Sequence, residues 1–289
     1  MKKQIVTIAA LAMSLNMFAQ QWPAPNQEAK PGTRWWWLGS AVTENDLKWN
    51  LRQYADHGIG AIEITPIYGV QGNEKNNIPF LSPRYMEILR YVYAECKADG
   101  IEFDMATGTG WPFGGPWVPL DESASQMLIV DTTVVGKKIR ALDLRPIEKK
   151  RKNTSLVGIY AFSEGKFLKI TTPLVEGTLT TKLPSKGTWR IIALYQKKGV
   201  MAVKRAAPGG AGLVIDHFDK QAVTNYLKHI EEAFEKTGTP YPHTFFNDSY
   251  EVSESDYTPT LFQEFYNRRG YSLEENFDKL VDGDTKVVA

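Results

Sequence analysis

Two short stretches, Ala55-Asp56-His57-Gly58-Ile59 and Ala98-Asp99-Gly100-Ile101, constrain the fold of this 289-residue chain more than any other feature. Each is a helix end, a glycine turn and the start of an apolar strand, and this succession feeds parallel strands joined by crossover helices. Upstream of the first, residues 33–38 form a bulky strand. Thr43 with Asp46 three residues on is a capping signal for a helix carrying Leu47, Leu51 and Tyr54 on one face. Upstream of the second, Ser82-Pro83 opens a helix with the stripe Tyr85, Ile88, Leu89, Val92 and Cys96. Strands are expected over 59–65 and 101–106. The pattern returns with a strand over 212–216, a helix from Asp219 to Gly238, a strand over 244–247 and a helix from Thr258-Pro259 to Gly270.

Between these units the character changes. Alternating, β-branched runs at 128–135, 156–162, 178–183 and 189–196, with turns at Gly136, Gly165 and Gly187, predict a small antiparallel β insertion. The expected fold is therefore α/β: a partial (β/α)8 barrel of about four strand–helix units, interrupted by an inserted β domain. The divisions are a leader over 1–19, the first part of the barrel over 20–122, the insertion over 123–205 and the continuation of the barrel over 206–289. A complete barrel takes about 250 residues, and about 190 remain here without leader and insertion, which predicts an N-terminal fragment or a severely shortened barrel, with a small self-contained α/β domain as the alternative.

Lys2 and Lys3, the apolar run 5–13 and Met17-Phe18-Ala19 have the order of a secretory leader, so export to the periplasm or medium of a bacterium is expected. That run falls short of the roughly 20 residues a membrane span needs, and no later run replaces it. Cys96 is the single cysteine, so no internal disulfide can form, and a buried thiol on a helix is expected. With 34 Lys plus Arg against 33 Asp plus Glu, the chain lacks the basic excess that nucleic-acid binding draws on. Lys149-Lys150-Arg151-Lys152 has no interleaved aromatics and reads as a solvated loop. The sequence is silent on oligomeric state.

In parallel α/β folds ligands sit at the C-terminal ends of strands. Here those ends carry Trp35-Trp36-Trp37; Glu63 with Thr65 and Tyr68; Asp104 followed by a Gly-, Pro- and Trp-rich loop through Trp117; Asp216 and His217; and Asn247, Asp248, Ser249, Tyr250 and Glu251. Gly108 and Gly110 imitate a dinucleotide loop, but the spacing is wrong and Pro112 denies the following turn its donors. The loop is expected to be an aromatic wall whose glycines let backbone approach a ligand. Four His, one Cys and no paired ligand spacing argue against zinc, while a hard-cation site of carboxylates and carbonyls stays open. No Gly-x-Ser-x-Gly elbow supports serine chemistry. What remains is carboxylates among Trp and Tyr in an exported protein, the composition of a glycan cleft. Glycoside hydrolysis needs a protonated acid and a carboxylate, and Glu251 leads as the acid, expected to be kept protonated by apolar neighbours such as Phe246, Tyr250 and Val252 or by other carboxylates close by. A plain loop carboxylate is the alternative.

Arg34-Trp35-Trp36-Trp37-Leu38, Gly58-Ile59-Gly60, the stretch from Gly108 to Trp117, Asp216-His217-Phe218, and Phe246-Asn247-Asp248-Ser249-Tyr250-Glu251 with Arg268-Arg269-Gly270-Tyr271 resemble the N-terminal part of the α-L-rhamnosidases of glycoside hydrolase family 106. This resemblance implies a (β/α)-barrel hydrolase acting on plant-type rhamnose-containing glycans with inversion, and a calcium ion helping to hold the sugar. It gives Glu251 the acid role and places the second catalytic carboxylate outside this chain. Trp36, Trp37, Trp111 and Trp117 are then expected as the sugar-facing wall, with Glu63, Asp104, Asp216, His217, Asn247 and Asp248 bonding substrate hydroxyls. A non-catalytic carbohydrate-binding remnant and a structural protein without ligand are the alternatives. An oligo- or polysaccharide is the expected partner.

Overall fold

The computed structural model describes residues 26–147 and 151–288; the leader over 1–19, and Lys149 and Lys150 of the basic run, lie outside the described residues. Strand β1 (Gly32–Leu38) leads into helix α1 (Glu44–Asp56), strand β2 (Ala61–Ile67), helix α2 (Pro83–Asp99) and strand β3 (Glu102–Ala106). The helix ends are set locally. The Thr43 side chain accepts the Asp46 amide, the Ser82 hydroxyl accepts the Tyr85 amide with Pro83 in the first turn, and Gly100 closes α2 in a left-handed conformation. Leu47 and Leu51 of α1 and Tyr85, Ile88, Leu89 and Val92 of α2 are buried against the sheet, each worth about 2 kcal/mol relative to exposure. Cys96 is buried on α2, which pushes its thiol up to about 12.

The three strands pair in parallel and in chain order, Arg34 opposite Glu63 and Glu63 opposite Asp104. Strand side chains alternate between faces. Trp37, Ile62, Ile64, Phe103 and Met105 go to the helix side, while Arg34, Trp36, Glu63 and Asp104 share the other.

After β3 the chain makes the short strand β4 (Gly114–Gly115) and enters the β-rich region, with β5 (Ser125–Val135), β6 (Lys138–Asp143), β7 (Thr154–Ser163), β8 (Lys166–Ile170), β9 (Thr178–Lys182) and β10 (Thr188–Lys198). Antiparallel pairing gives a sheet in the order β5-β10-β7-β8 and a separate β6-β9 pair. The short strands β6 and β8 were not among the four expected runs. Strand β10 is buried on both faces, which is why residues 191–195 read as a continuous apolar run. Trp189, Ile191 and Ala193 face Ile139, Leu144 and Leu179 on the β6-β9 side. Ile192 and Leu194 face Tyr257, Leu273 and Phe277 on the other.

The chain then forms β11 (Leu213–Val214), helix α3 (Lys220–Thr237), β12 (Phe245–Phe246), and the helices α4 (Leu261–Arg269), α5 (Phe277–Val281) and α6 (Thr285–Val288). Asp219 caps α3, whose Tyr226, Ile230 and Phe234 pack on the parallel-sheet core. Strand β12 joins the parallel sheet beside β3, giving the order β1-β2-β3-β12.

Two expectations are corrected. The strand expected over 212–216 is not in the parallel sheet, because β11 pairs antiparallel with β4. The glycines make this pairing possible: a Cβ at Gly114 would overlap the Leu213 carbonyl oxygen. The helix after β12 starts at Leu261, past Thr258-Pro259, and does not cover the parallel sheet. Its Leu261, Phe262 and Phe265 pack on the β5-β10-β7-β8 sheet instead. Among the described residues no helix is long and apolar enough to cross a membrane.

Candidate functional site

The side chains of the two outer strands meet across the polar face of the parallel sheet. In a flat sheet β1 and β12 would lie three strand spacings apart, about 14 Å. Yet the Arg34 guanidinium of β1 lies 4.5 Å from the Phe246 ring centre of β12 and its Nη1 is 3.5 Å from Asp248 Oδ2. This face is therefore concave. Arg34 also pairs with Glu63 (Nε to Oε1, 2.9 Å) and lies 5.3 Å from the Trp36 ring centre, and Thr65 donates to the same Glu63 oxygen at 3.1 Å. Asp104, one strand further on, accepts the Thr244 amide at 2.7 Å and so fixes the start of β12. Thr107 holds the end of β12 by donating to the Phe246 carbonyl at 2.9 Å, and Tyr226 of α3 donates to the Thr107 carbonyl at 3.0 Å.

The loop leaving β12 closes one end of this face. Asn247 donates to the Tyr250 hydroxyl at 3.1 Å, the Ser249 amide donates to Asp248, and the Tyr250 ring stands edge-on to His217 with centres 4.7 Å apart. Burial lowers the pKa of the half-buried His217, so the neutral imidazole is favoured. Glu251 follows directly. It is exposed and makes no hydrogen bond or ion pair among the described residues. The apolar shielding expected of Tyr250 is absent, since that ring is 65% exposed.

Of the expected site residues, this face and its loop bring together Trp36, Glu63 and Asp248 around Arg34, with Asp104 opposite Glu63 on the next strand and Asn247 and His217 joined through Tyr250. Trp36 is 43% exposed and offers a ring to a ligand. Trp111 is half-buried, its backbone exchanging hydrogen bonds with Lys204 at 3.0 and 2.9 Å.

Three residues do not belong with them. Trp37 is 1% exposed and packs edge-on to Trp35 and Tyr85 in the core, because neighbours on a strand face opposite ways. Trp117 stacks on His229 at 4.4 Å and on Tyr226 at 5.8 Å, both on α3, so it sits on the helix side of the sheet. Asp216 is 2% exposed and turns back to accept the Phe218 amide at 3.0 Å, out of reach of a sugar hydroxyl.

The glycines of the loop also serve a different end from the expected one. A Cβ at Gly110 would overlap the Lys204 carbonyl oxygen, and one at Gly108 would come within 2.6 Å of the Tyr226 hydroxyl. They admit neighbouring chain, not ligand. Arg34 is the site residue that sequence reasoning missed; its alternation with Trp36 and register opposite Glu63 were the signals that could have found it.

A cleft of about 880 Å³ between the start of α3 and α4 is lined by Phe218, Gln221, Tyr257, Leu261, Glu264 and Arg268 and by none of the expected site residues. Among the described residues no group of three or more His, Cys, Asp or Glu could hold a metal ion. No chemical step is routed through the calcium that the resemblance implies.

Burial raises the pKa of Asp216, against the lowering effect of the Phe218 amide. A raised carboxylate pKa means that folding disfavours the charged form, a penalty present above the folded pKa and relieved as pH falls through it toward the unfolded value. Asp216→Asn, which keeps the oxygen for Phe218, is therefore expected to raise the melting temperature more at pH 7 than at pH 3. Thermal melts at the two pH values check this, and an equal or reversed difference contradicts it.

The glycoside hydrolase family 106 profile, described as alpha-L-rhamnosidase, matches residues 23–154 and 160–281. A protein of Formosa agariphila named "Putative beta-glucuronidase" is 24% identical over 295 aligned residues, which cover 86% of this chain and 25% of that protein. The structure of a rhamnosidase from Novosphingobium sp. PP1Y superposes with a TM-score of 0.67 at 16% identity, covering 89% of this chain and 42% of the other. At that identity the likeness establishes the mixed α/β fold. The chain thus spans well under half the length of either protein.

Proposed function

The chain belongs to the α-L-rhamnosidases of glycoside hydrolase family 106, and we propose that it supplies the acid-bearing half of the catalytic cleft of an exported, inverting α-L-rhamnosidase acting on plant-type rhamnose-containing glycans. Export rests on the leader-like order of residues 1–19. The observation that carries the proposal is the concave polar face of the parallel sheet, with the Asn247–Glu251 loop at one end. Four parallel strands in chain order, whose outer members β1 and β12 meet through the Arg34 side chain, support reading this sheet as an arc of a (β/α)8 barrel. In this organisation β1 to β3 and β12, with α1, α2 and α3, form the arc, and β5 to β10 form the inserted β domain.

The rhamnose ring lies on Trp36, with Asn247, Asp248 and His217 within reach of its hydroxyls. Glu251, protonated, gives its proton to the glycosidic oxygen as the bond to C1 breaks. A carboxylate outside the four strands takes a proton from water as the water oxygen bonds to C1 from the opposite face. The two carboxyl groups of an inverting pair stand about 6.5–9.5 Å apart to admit that water.

A β-glucuronidase, the name carried by one relative, would have to hold a uronate carboxylate. On the polar face of the sheet the Arg34 guanidinium is already paired with Glu63 and Asp248, and Asp104 lies opposite Glu63 on the next strand. That field repels an anion and favours a neutral 6-deoxy sugar. The test offers aryl α-L-rhamnoside and aryl β-D-glucuronide to the protein that carries this chain. Turnover of the rhamnoside with kcat/KM at least about 10³-fold above the glucuronide is expected; the reverse preference contradicts the proposal.

A further inference from the structure

We propose that Arg34 is a positioning residue that tethers the acid-bearing loop across the cleft; the inference rests on the acid role given to Glu251 above. Arg34 and the loop are far apart in sequence and on opposite sides of the arc. The guanidinium nonetheless holds the loop at its root and within it, lying over the Phe246 ring at the end of β12 at 4.5 Å and pairing through Nη1 with Asp248 of the loop at 3.5 Å. Its orientation is fixed from behind: Glu63 takes Nε at 2.9 Å and is itself held by the Thr65 hydroxyl at 3.1 Å.

A planar cation can stack and donate in two directions at once, which an ammonium cannot. The side chains of Arg34, Glu63 and Asp248 are between a fifth and a third exposed, so solvent screens the ion pairs only in part. Strand β12 itself is only two residues long and pairs on one side, with β3. The backbone therefore does little to hold the loop, and Asp248 stands three positions before Glu251. Losing the tether would leave the sheet intact and let the acid wander from the glycosidic oxygen.

Arg34→Met keeps much of the side-chain volume and removes the donors. In the full chain, hydrogen exchange at amides 247–251 is expected to quicken about fivefold or more, with amides of β2 and β3 and the melting temperature little changed. In the protein that carries the chain, kcat toward the rhamnoside is expected to fall about 100-fold with KM nearly constant. Arg34→Lys is expected to restore part of each effect, and Asp248→Asn to reproduce the faster exchange from the loop side, the double variant R34M/D248N adding little to either.

Unchanged exchange at 247–251 in a folded R34M protein overturns the tether. Unchanged kcat in R34M, where the unsubstituted protein is active, overturns its positioning role. Faster exchange in R34M together with no rhamnoside turnover by the unsubstituted protein supports the tether and sinks the rhamnosidase proposal, so the two failures are distinguishable.

Discussion

Gly110→Ala is expected to destabilise the protein by about 3 kcal/mol or more, from a left-handed backbone and an overlap with chain that cannot swing away. Gly110 has φ of +56°, and its added Cβ would overlap the Lys204 carbonyl oxygen while lying 2.7 Å from the Arg205 carbonyl carbon and 2.8 Å from its oxygen. These are backbone atoms, locked in place by the paired hydrogen bonds between Trp111 and Lys204 and by the Gly110 amide donating to Pro66 at 3.1 Å. Gly100 provides the comparison. It has φ of +67° but nothing within 4 Å of its missing Cβ, so Gly100→Ala should cost only about 1 kcal/mol, the conformational part. Denaturant melts of both variants check the difference. Equal losses would mean that the segment around Lys204 yields and that the Gly-rich loop is not shaped by this contact.

Much of this architecture was legible because its determinants are local. Thr43, Ser82 and Asp219 accept amides two or three residues ahead, and Gly100 and Gly238 end their helices by adopting a conformation other residues avoid. Such features need no knowledge of what packs against them. The face of α4 was equally visible as Leu261, Phe262 and Phe265, but an apolar stripe does not say which surface covers it. Here it is the inserted sheet, already apolar on that side through Tyr160, Ile192 and Leu194.

The site was half legible for a related reason. Treating Trp36 and Trp37 as one wall overlooked the alternation of a strand, which sends Trp36 to the concave face and Trp37 to the core. Glycines next to aromatic rings look alike in sequence whether they admit a ligand or, as here, another stretch of backbone. Arg34 escaped notice because, although its register places it opposite Glu63, its partners at 246 and 248 come from a strand two places further across the sheet and the loop after it, more than 200 residues on. The burial of Asp216 could not be read from its strand-end position, which says nothing of what covers it.

The most direct test of the central claim, that Glu251 is the acid of an α-L-rhamnosidase, compares leaving groups in Glu251→Gln. A glutamine of the same shape cannot give up a proton, and general acid catalysis contributes about 10²–10⁴-fold where the departing oxygen is basic. A nitrophenolate leaves without that help, whereas a sugar alkoxide does not. Glu251 is exposed and unpaired among the described residues, so the substitution removes no structural bond and a loss of rate reports chemistry. The account predicts that E251Q, in the protein that carries this chain, hydrolyses a rhamnose-containing disaccharide about 10³-fold more slowly while losing no more than about tenfold on nitrophenyl α-L-rhamnoside. An E251Q protein that keeps its full rate on the disaccharide, or that slows equally on both substrates, contradicts it.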